Sequence, residues 1–183
     1  EVLEGLLKIR VVRSGVPGEV SAEGLRRLPA ILAETRPDVV ILCHGGNDFR
    51  QMLRELQGRH PKMFLSVVNW FNAVKGEDIF DIIGDHADER ETSLIMHLHP
   101  HLVLPKSEWG PGTDNRWKLK AINEKWAWAQ RDWLKATNDT GSGDPQHSSA
   151  EKGKRYLEAL GAKIGSYLIE LAKVDISELY ERS

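Results

Sequence analysis

Val39-Val40-Ile41-Leu42-Cys43-His44-Gly45-Gly46-Asn47-Asp48 is the stretch on which the fold turns. Its first five residues are continuously apolar, with no alternation, as in a strand buried on both faces of a parallel sheet. The glycines and Asn47 then break the strand, and Asp48 opens a segment of helical periodicity. Two more runs of the same kind, residues 9–12 and 63–68, flank the 38–43 run. Between the first two, Ser21–Thr35 places Leu25, Leu28, Ile31 and Leu32 on one helical face, with Ser21 as N-cap and a kink expected at Pro29. After the second, residues 48–57 carry Phe49, Met52, Leu53 and Leu56 on one side, with Gly58 expected to stop the helix.

The resulting plan is βαβαβ, which predicts a three-layer α/β/α, flavodoxin-like (Rossmann-like) domain with a short parallel sheet. One domain covering residues 1–183 is expected. Such sheets place their sites beyond the C-terminal strand ends, here residues 15–18 and 44–48. Further on, Glu89–Leu98 reads as helix. Residues 104–137, which hold five of the six tryptophans, read as an extended or hairpin excursion. Ser148-Ser149-Ala150-Glu151 reads as a capping box opening a long helix with the face Leu157, Leu160, Ile164, Tyr167, Leu168 and Leu171, expected to pack across the sheet.

With 25 basic and 27 acidic residues the formal charge is only −2, and no Lys/Arg run builds a concentrated positive field, so nucleic acid and anionic lipid are not expected partners. Cys43 is the only cysteine, which precludes an internal disulfide and fits a buried thiol in a reducing cytoplasm. No stretch approaches the roughly 20 apolar residues that span a bilayer, and no signal-peptide pattern opens the chain.

Residues 44–183 resemble the creatininase family of metal-dependent amidohydrolases. The resemblance rests on His44-Gly45-Gly46-Asn47-Asp48, on Gly84-Asp85-His86-Ala87-Asp88-Glu89-Arg90-Glu91-Thr92-Ser93, on Asn123-Glu124-Lys125-Trp126-Ala127-Trp128, and on the run from Asp144 to Tyr156. It implies His44 and Glu91 as metal ligands and His86 as acid/base. Residues 1–48 resemble instead an SGNH (GDSL-type) esterase, through Ser14-Gly15-Val16-Pro17-Gly18-Glu19, Gly45-Gly46-Asn47-Asp48 and the intervening 22–37. That resemblance implies oxyanion donors at the Gly18 amide and the Asn47 side chain. Both patterns are incomplete. No Glu-x-His element precedes His44, and no Gly-Asp-Ser motif opens the esterase-like part.

Each candidate also has an ordinary structural reading. His44 is either a hydrogen-bonded structural histidine or a ligand for zinc or a similar ion. His86 and Glu91, five apart, share no helical face, but converge if His86 lies in the loop before the helix and Glu91 in its first turn. The alternative there is simple capping, with Asp85, Asp88, Glu89 and Glu91 forming a solvated acidic turn. His97, His99 and His101 suit a helix C-terminus. Asp144 and His147 have the D-x-x-H spacing of an esterase base pair, although helix-entry capping is the expectation, and Trp70 is the tryptophan placed nearest a site.

The expectation is a designed or recombined chimera of two hydrolase fragments without full catalytic activity. The alternatives are a creatininase-type hydrolase of cyclic amides, with zinc or manganese weakly bound or absent, and an SGNH-type esterase. A small molecule is the expected substrate of either, and a homo-oligomer is possible.

Overall fold

A computed structural model describes residues 21–37, 39–43 and 48–181. The chain divides into two compact units, one made of Glu1–Ala73 and Lys163–Ser183, the other of Val74–Ala162. The architecture is mixed helix and strand.

In the first unit α1 (Ser21–Thr35) precedes β1 (Val39–Cys43), α2 (Asp48–Arg59) and β2 (Phe64–Val68). The two strands are parallel, with Val39 opposite Phe64 and Cys43 opposite Val68, as a helical crossover between them requires. They form a two-stranded sheet among the described residues; the run at 9–12 lies outside them. The apolar periodicity explains the packing. Leu28 and Leu32, one turn apart on α1, are buried with Leu56 of α2 and Leu65 of β2, and Leu53, Met63 and Val67 pack around them. Each such leucine contributes roughly 1.5–3 kcal/mol by leaving water. Pro29 sits inside α1 at an exposed position. Ser66, between Leu65 and Val67, accepts a hydrogen bond from the Tyr167 hydroxyl (2.9 Å).

Gly58 does not end α2. The helix continues to Arg59, and the His60 amide donates to the Leu56 carbonyl (2.8 Å). Gly58 is absent from the positions with a left-handed backbone, so the stop comes from Pro61, which disfavours helical geometry at His60. A short helix, α3 (Trp70–Ala73), follows β2.

The second unit is organised by α4 (Glu89–Leu98) and the N-terminal part of α7 (Ala150–Leu171). Between them come two more short helices, α5 (Lys120–Asn123) and α6 (Trp133–Ala136). The 104–137 excursion is therefore not a hairpin. It is a loop of turns closed at its base, where Asp114 and Thr137 form one antiparallel bridge and the Asn115 amide donates to the Ala136 carbonyl (2.7 Å). Trp126 and Trp128 are exposed, so the aromatic residues there do not build the apolar face that a sheet would need.

The start of α7 is shifted by one residue from the expected capping box. Ser149 is the cap, its hydroxyl accepting from the Lys152 amide (3.2 Å), whereas the Ser148 hydroxyl donates to the carbonyl of Glu89 (3.3 Å). Tertiary contact thus claims the serine that local spacing assigned to the helix. The buried face begins earlier than the apolar pattern suggests, at Gly153 and Tyr156. The Tyr156 ring stands edge-on to Phe80 (5.0 Å between centroids) and its hydroxyl donates to the Val74 carbonyl (2.8 Å). Burial holds this phenol above its usual range.

Gly153 marks the closest approach of α7 to α4, since a Cβ there would stand 1.9 Å from the Ser93 carbonyl oxygen. Gly153→Ala should therefore destabilise the protein by about 1–3 kcal/mol, the usual cost of overpacking. Gly161→Ala, where nothing lies within 4 Å, should be neutral or stabilising by up to about 1 kcal/mol through helix propensity. Urea unfolding of the two variants checks the contrast, and equal effects would mean that the two helices are not in contact at Gly153.

Candidate functional site

The segment from Ile82 to Glu91 is built around one carboxylate. Asp88 is the N-cap of α4 and fully buried. Its Oδ1 accepts from the Glu91 amide (2.9 Å), and its Oδ2 accepts from the Gly84 amide (2.9 Å) and from Arg90 Nε (3.0 Å). Arg90 in turn donates from Nη2 to the Gly84 carbonyl (3.0 Å). Glu89 is buried beside it, accepting from the amides of Asp81 (2.9 Å) and Ile82 (2.8 Å) and pairing with Lys152. Capping is thus part of this sequence block, but the solvated acidic turn is corrected. Asp88 and Glu89 are interior, because three donors on one and two amides plus an ammonium on the other replace the water that burial removes.

This arrangement fixes the loop that carries His86. The loop is bonded to residue 142 on its other side, where Asp85 and His86 amides donate to the Ser142 carbonyl (2.7 and 3.1 Å) and the Ser142 amide donates to the His86 carbonyl (2.8 Å). Glycines permit the approach. A Cβ on Gly84 would stand 2.5 Å from Gly143 Cα, and Gly112, at φ +61°, brings its backbone against the Gly143 carbonyl. Ala87 adopts φ +51° without being glycine, a conformation that costs roughly 1–2 kcal/mol. The surrounding bonds hold it there, and its amide donates to Glu91 Oε2 (2.7 Å).

His86 therefore lies in the loop and Glu91 in the first turn of α4, the arrangement under which residues five apart can meet. His86 Nδ1 is 3.6 Å from Glu91 Oε2, an electrostatic contact just beyond hydrogen-bond length. His86 is about half exposed, and Glu91 about one-third. Two residues that sequence reasoning passed over complete the cluster. Trp133 sits edge-on to the His86 ring (5.3 Å between centroids), and Arg131 lies over Trp133 (4.7 Å) while pairing with Asp85. The only signal for them was the density of tryptophans in this stretch. A cavity of about 380 Å³ borders Glu91, with Thr92, Ile95, Leu104, Trp109 and Asp139 among its walls.

Gly18, His44 and Asn47 lie outside the described residues. Asp144 Oδ1 accepts from the Gln146 amide (2.9 Å), a local turn, and the ionic contact of His147 is with Asp81 (3.9 Å) rather than Asp144, so no dyad forms. His97 is in the last turn of α4, with His99 capping it and standing edge-on to His101. Trp70 begins α3 in the first unit, T-shaped against Phe71. Just before it, Asn69 carries a buried side-chain oxygen that finds no hydrogen-bond partner among the described residues. Among the described residues no group of three or more His, Cys, Asp or Glu could hold a metal ion, and no helix is long and apolar enough to cross a membrane.

A histidine held by its backbone beside a carboxylate, at the N-terminus of a helix in a mixed α/β chain, defines a protein with a candidate proton-transfer pair. The creatininase pattern, described as creatinine amidohydrolase, matches residues 32–168, and the chain belongs to the creatininase family. A crystal structure from Bacteroides fragilis, of a protein provisionally named a creatinine amidohydrolase, is 36% identical with a TM-score of 0.77, covering 89% of this chain and 65% of that one. The chain thus spans slightly under two thirds of that protein's length. A structure of a manganese form of creatininase shares the fold at 19% identity, with a TM-score of 0.59 over 88% of this chain and 68% of its own. A short N-terminal stretch of 39 residues is 54% identical to Esterase TesA of Pseudomonas aeruginosa, covering 21% of this chain and 19% of the esterase.

These findings correct the expectation of a chimera without full activity. The family match begins at residue 32, ahead of His44, and the likeness to the Bacteroides structure covers more of the chain than residues 44–183 could supply. A creatininase-family domain is the better description.

Two outcomes test this account of the segment. Asp88→Ala should cost about 3–5 kcal/mol in urea unfolding, because it strands a buried guanidinium; a loss under about 1 kcal/mol would show that Arg90 is not held by this carboxylate. Hydrogen bonding and charge from Lys152 lower the pKa of Asp81, and Asp81 and Glu89 raise that of Lys152. The Asp81 contribution should be present above about pH 3.9 and lost as pH falls through its lowered folded value. That of Lys152 should be present below about pH 10.4 and lost as pH rises through its raised value. Both losses should shrink in Lys152→Met, read as melting temperature against pH; that of the exposed Asp81 should be small, and that of Lys152, which also pairs with the buried Glu89, the larger.

Proposed function

We propose that the chain carries the proton-transfer part of a metal-dependent hydrolase that opens the amide bond of a small cyclic substrate. The observation that carries this reading is the His86–Glu91 contact at the start of α4, in a chain of the creatininase family. Solved members of the family include creatininase in zinc–zinc and manganese forms.

The donor chemistry suits such an ion. His44, by its family match, would supply an imidazole and Glu91 a carboxylate, the donors that zinc and manganese accept. Glu91 uses Oε2 toward Ala87 and His86, and no bond to its Oε1 occurs among the described residues. Two protein ligands fall short of the three or four usual for zinc, so weak binding is expected. When bound, the ion would polarise the amide carbonyl and lower the pKa of a water molecule.

His86 then has a defined task. Its Nδ1 faces the carboxylate, which favours the proton on that nitrogen and leaves the Nε2 lone pair to accept a proton and return it to the leaving nitrogen. The backbone bonds to Ser142 fix the point on the chain from which the ring projects. Gly18 and Asn47, as oxyanion donors, are not required by this scheme. The finer architecture we propose is the three-layer one, supported by the alternation along β2, where Leu65 and Val67 join the α1/α2 core while Ser66 meets Tyr167. A cytoplasmic homo-oligomer acting on a small molecule is part of the same proposal.

Hydrolysis of creatinine and related cyclic amides, followed with zinc or manganese added and with chelator, tests the reading. Turnover should need metal, and His86→Ala should lower kcat by about 10²-fold or more while metal affinity, measured by calorimetry, stays unchanged; His44→Ala should abolish binding. Turnover indifferent to chelator, or none on any cyclic amide with metal present, would sink it.

A further inference from the structure

Arg131 does little for stability where it stands. Its ion pair with Asp85 joins side chains that are 36% and 58% exposed, and solvent screening leaves such pairs little net stabilisation. The pair nevertheless closes a chain of contacts leading to His86. The guanidinium carbon stands 4.7 Å from the centre of the Trp133 ring, within cation–π range, and Trp133 meets the His86 ring at 80° with centroids 5.3 Å apart. On its C-terminal side Trp133 is tied down as well. Its carbonyl accepts from the Thr137 amide (3.1 Å) and hydroxyl (3.0 Å), and Thr137 forms the bridge to Asp114 that closes the excursion.

His86 is thus approached from two directions in sequence. Glu91 faces Nδ1 from α4, and Trp133 contacts the ring from the start of α6, more than forty residues away. Backbone bonds fix where the histidine starts, but they leave its side-chain torsions free. Half exposed, the imidazole would otherwise sample several rotamers. The Trp133 ring restricts that choice, and Arg131 restricts Trp133. We infer that Arg131 is a positioning residue, which through Trp133 holds the His86 imidazole in the orientation that proton transfer needs. The inference rests on the reading of His86 as acid/base, but its structural half can be measured without turnover.

The test uses the full chain labelled with ¹⁵N-histidine, with the His86 ring signals identified by their loss in His86→Ala. In the unsubstituted protein these signals should be displaced by the Trp133 ring current. Arg131→Met should reduce the displacement by half or more, Arg131→Lys should retain part of it because a lysine keeps the charge but not the planar stacking, and Lys135→Met should leave it unchanged. His86 signals indifferent to Arg131→Met, or moved as much by Lys135→Met, would overturn the inference. In the metal-loaded protein, Arg131→Met should lower kcat about tenfold with KM within about twofold, and Arg131→Lys should recover part of the loss. Turnover with unchanged kcat in Arg131→Met would also overturn it. If the unsubstituted protein turns over no cyclic amide while the signals move as stated, the proposed function fails and the positioning role stands.

Discussion

The local structure around His86 depends on the burial of one carboxylate. Asp88 has no access to water, so it must be satisfied by donors, and the donors it uses come from both sides of it in sequence. The Gly84 amide lies before the histidine, and the Glu91 amide and Arg90 guanidinium lie after it. Satisfying this one group therefore bends the chain through residues 84–91 and starts α4 at a defined point. The left-handed Ala87 is a consequence, since the chain must reverse between a backbone pairing with residue 142 and a helix beginning at Glu89. The energy that such an ion cluster contributes to folding is modest or even unfavourable. Its value here is geometric.

The same geometry explains how His86 and Glu91, which cannot share a helical face, come to lie together. One belongs to the loop and the other to the first turn, and the reversal at Ala87 folds one back upon the other. Two further elements of the structure meet at that pair. α4 contributes the carboxylate and a cavity beside it, while the tryptophan-rich excursion contributes an aromatic ring and the arginine that restrains it. Membership of the creatininase family is what makes this half-exposed histidine and its carboxylate the candidate site.

Several elements were legible from local pattern alone. α1, β1 and β2 occur within a residue of where apolar runs and periodicity put them, as does α4, because these signals record which face of a segment leaves water. The end of α2 was misplaced by two residues and the start of α7 by one. In both cases a non-local or neighbouring constraint, Pro61 in one and the Glu89 carbonyl in the other, decided between residues that local rules treat alike. The excursion failed more completely, since aromatic content suggests strands only where one face is buried, and Trp126 and Trp128 are in solvent.

By itself the sequence determined the parallel strand pair with its covering helices, the family, and the candidacy of His86 and Glu91, because each is written in residues close together along the chain. Tertiary structure decided that Asp88 and Glu89 are interior, that Glu91 turns toward His86, and that Arg131 and Trp133 belong with them. The partners in those contacts are distant, Arg131 and Asp85 being 46 positions apart in sequence and Ser148 and Glu89 59. Periodicity carries no record of such pairings. A buried charge finds its partners only once the chain has closed around it and water is no longer available to take their place.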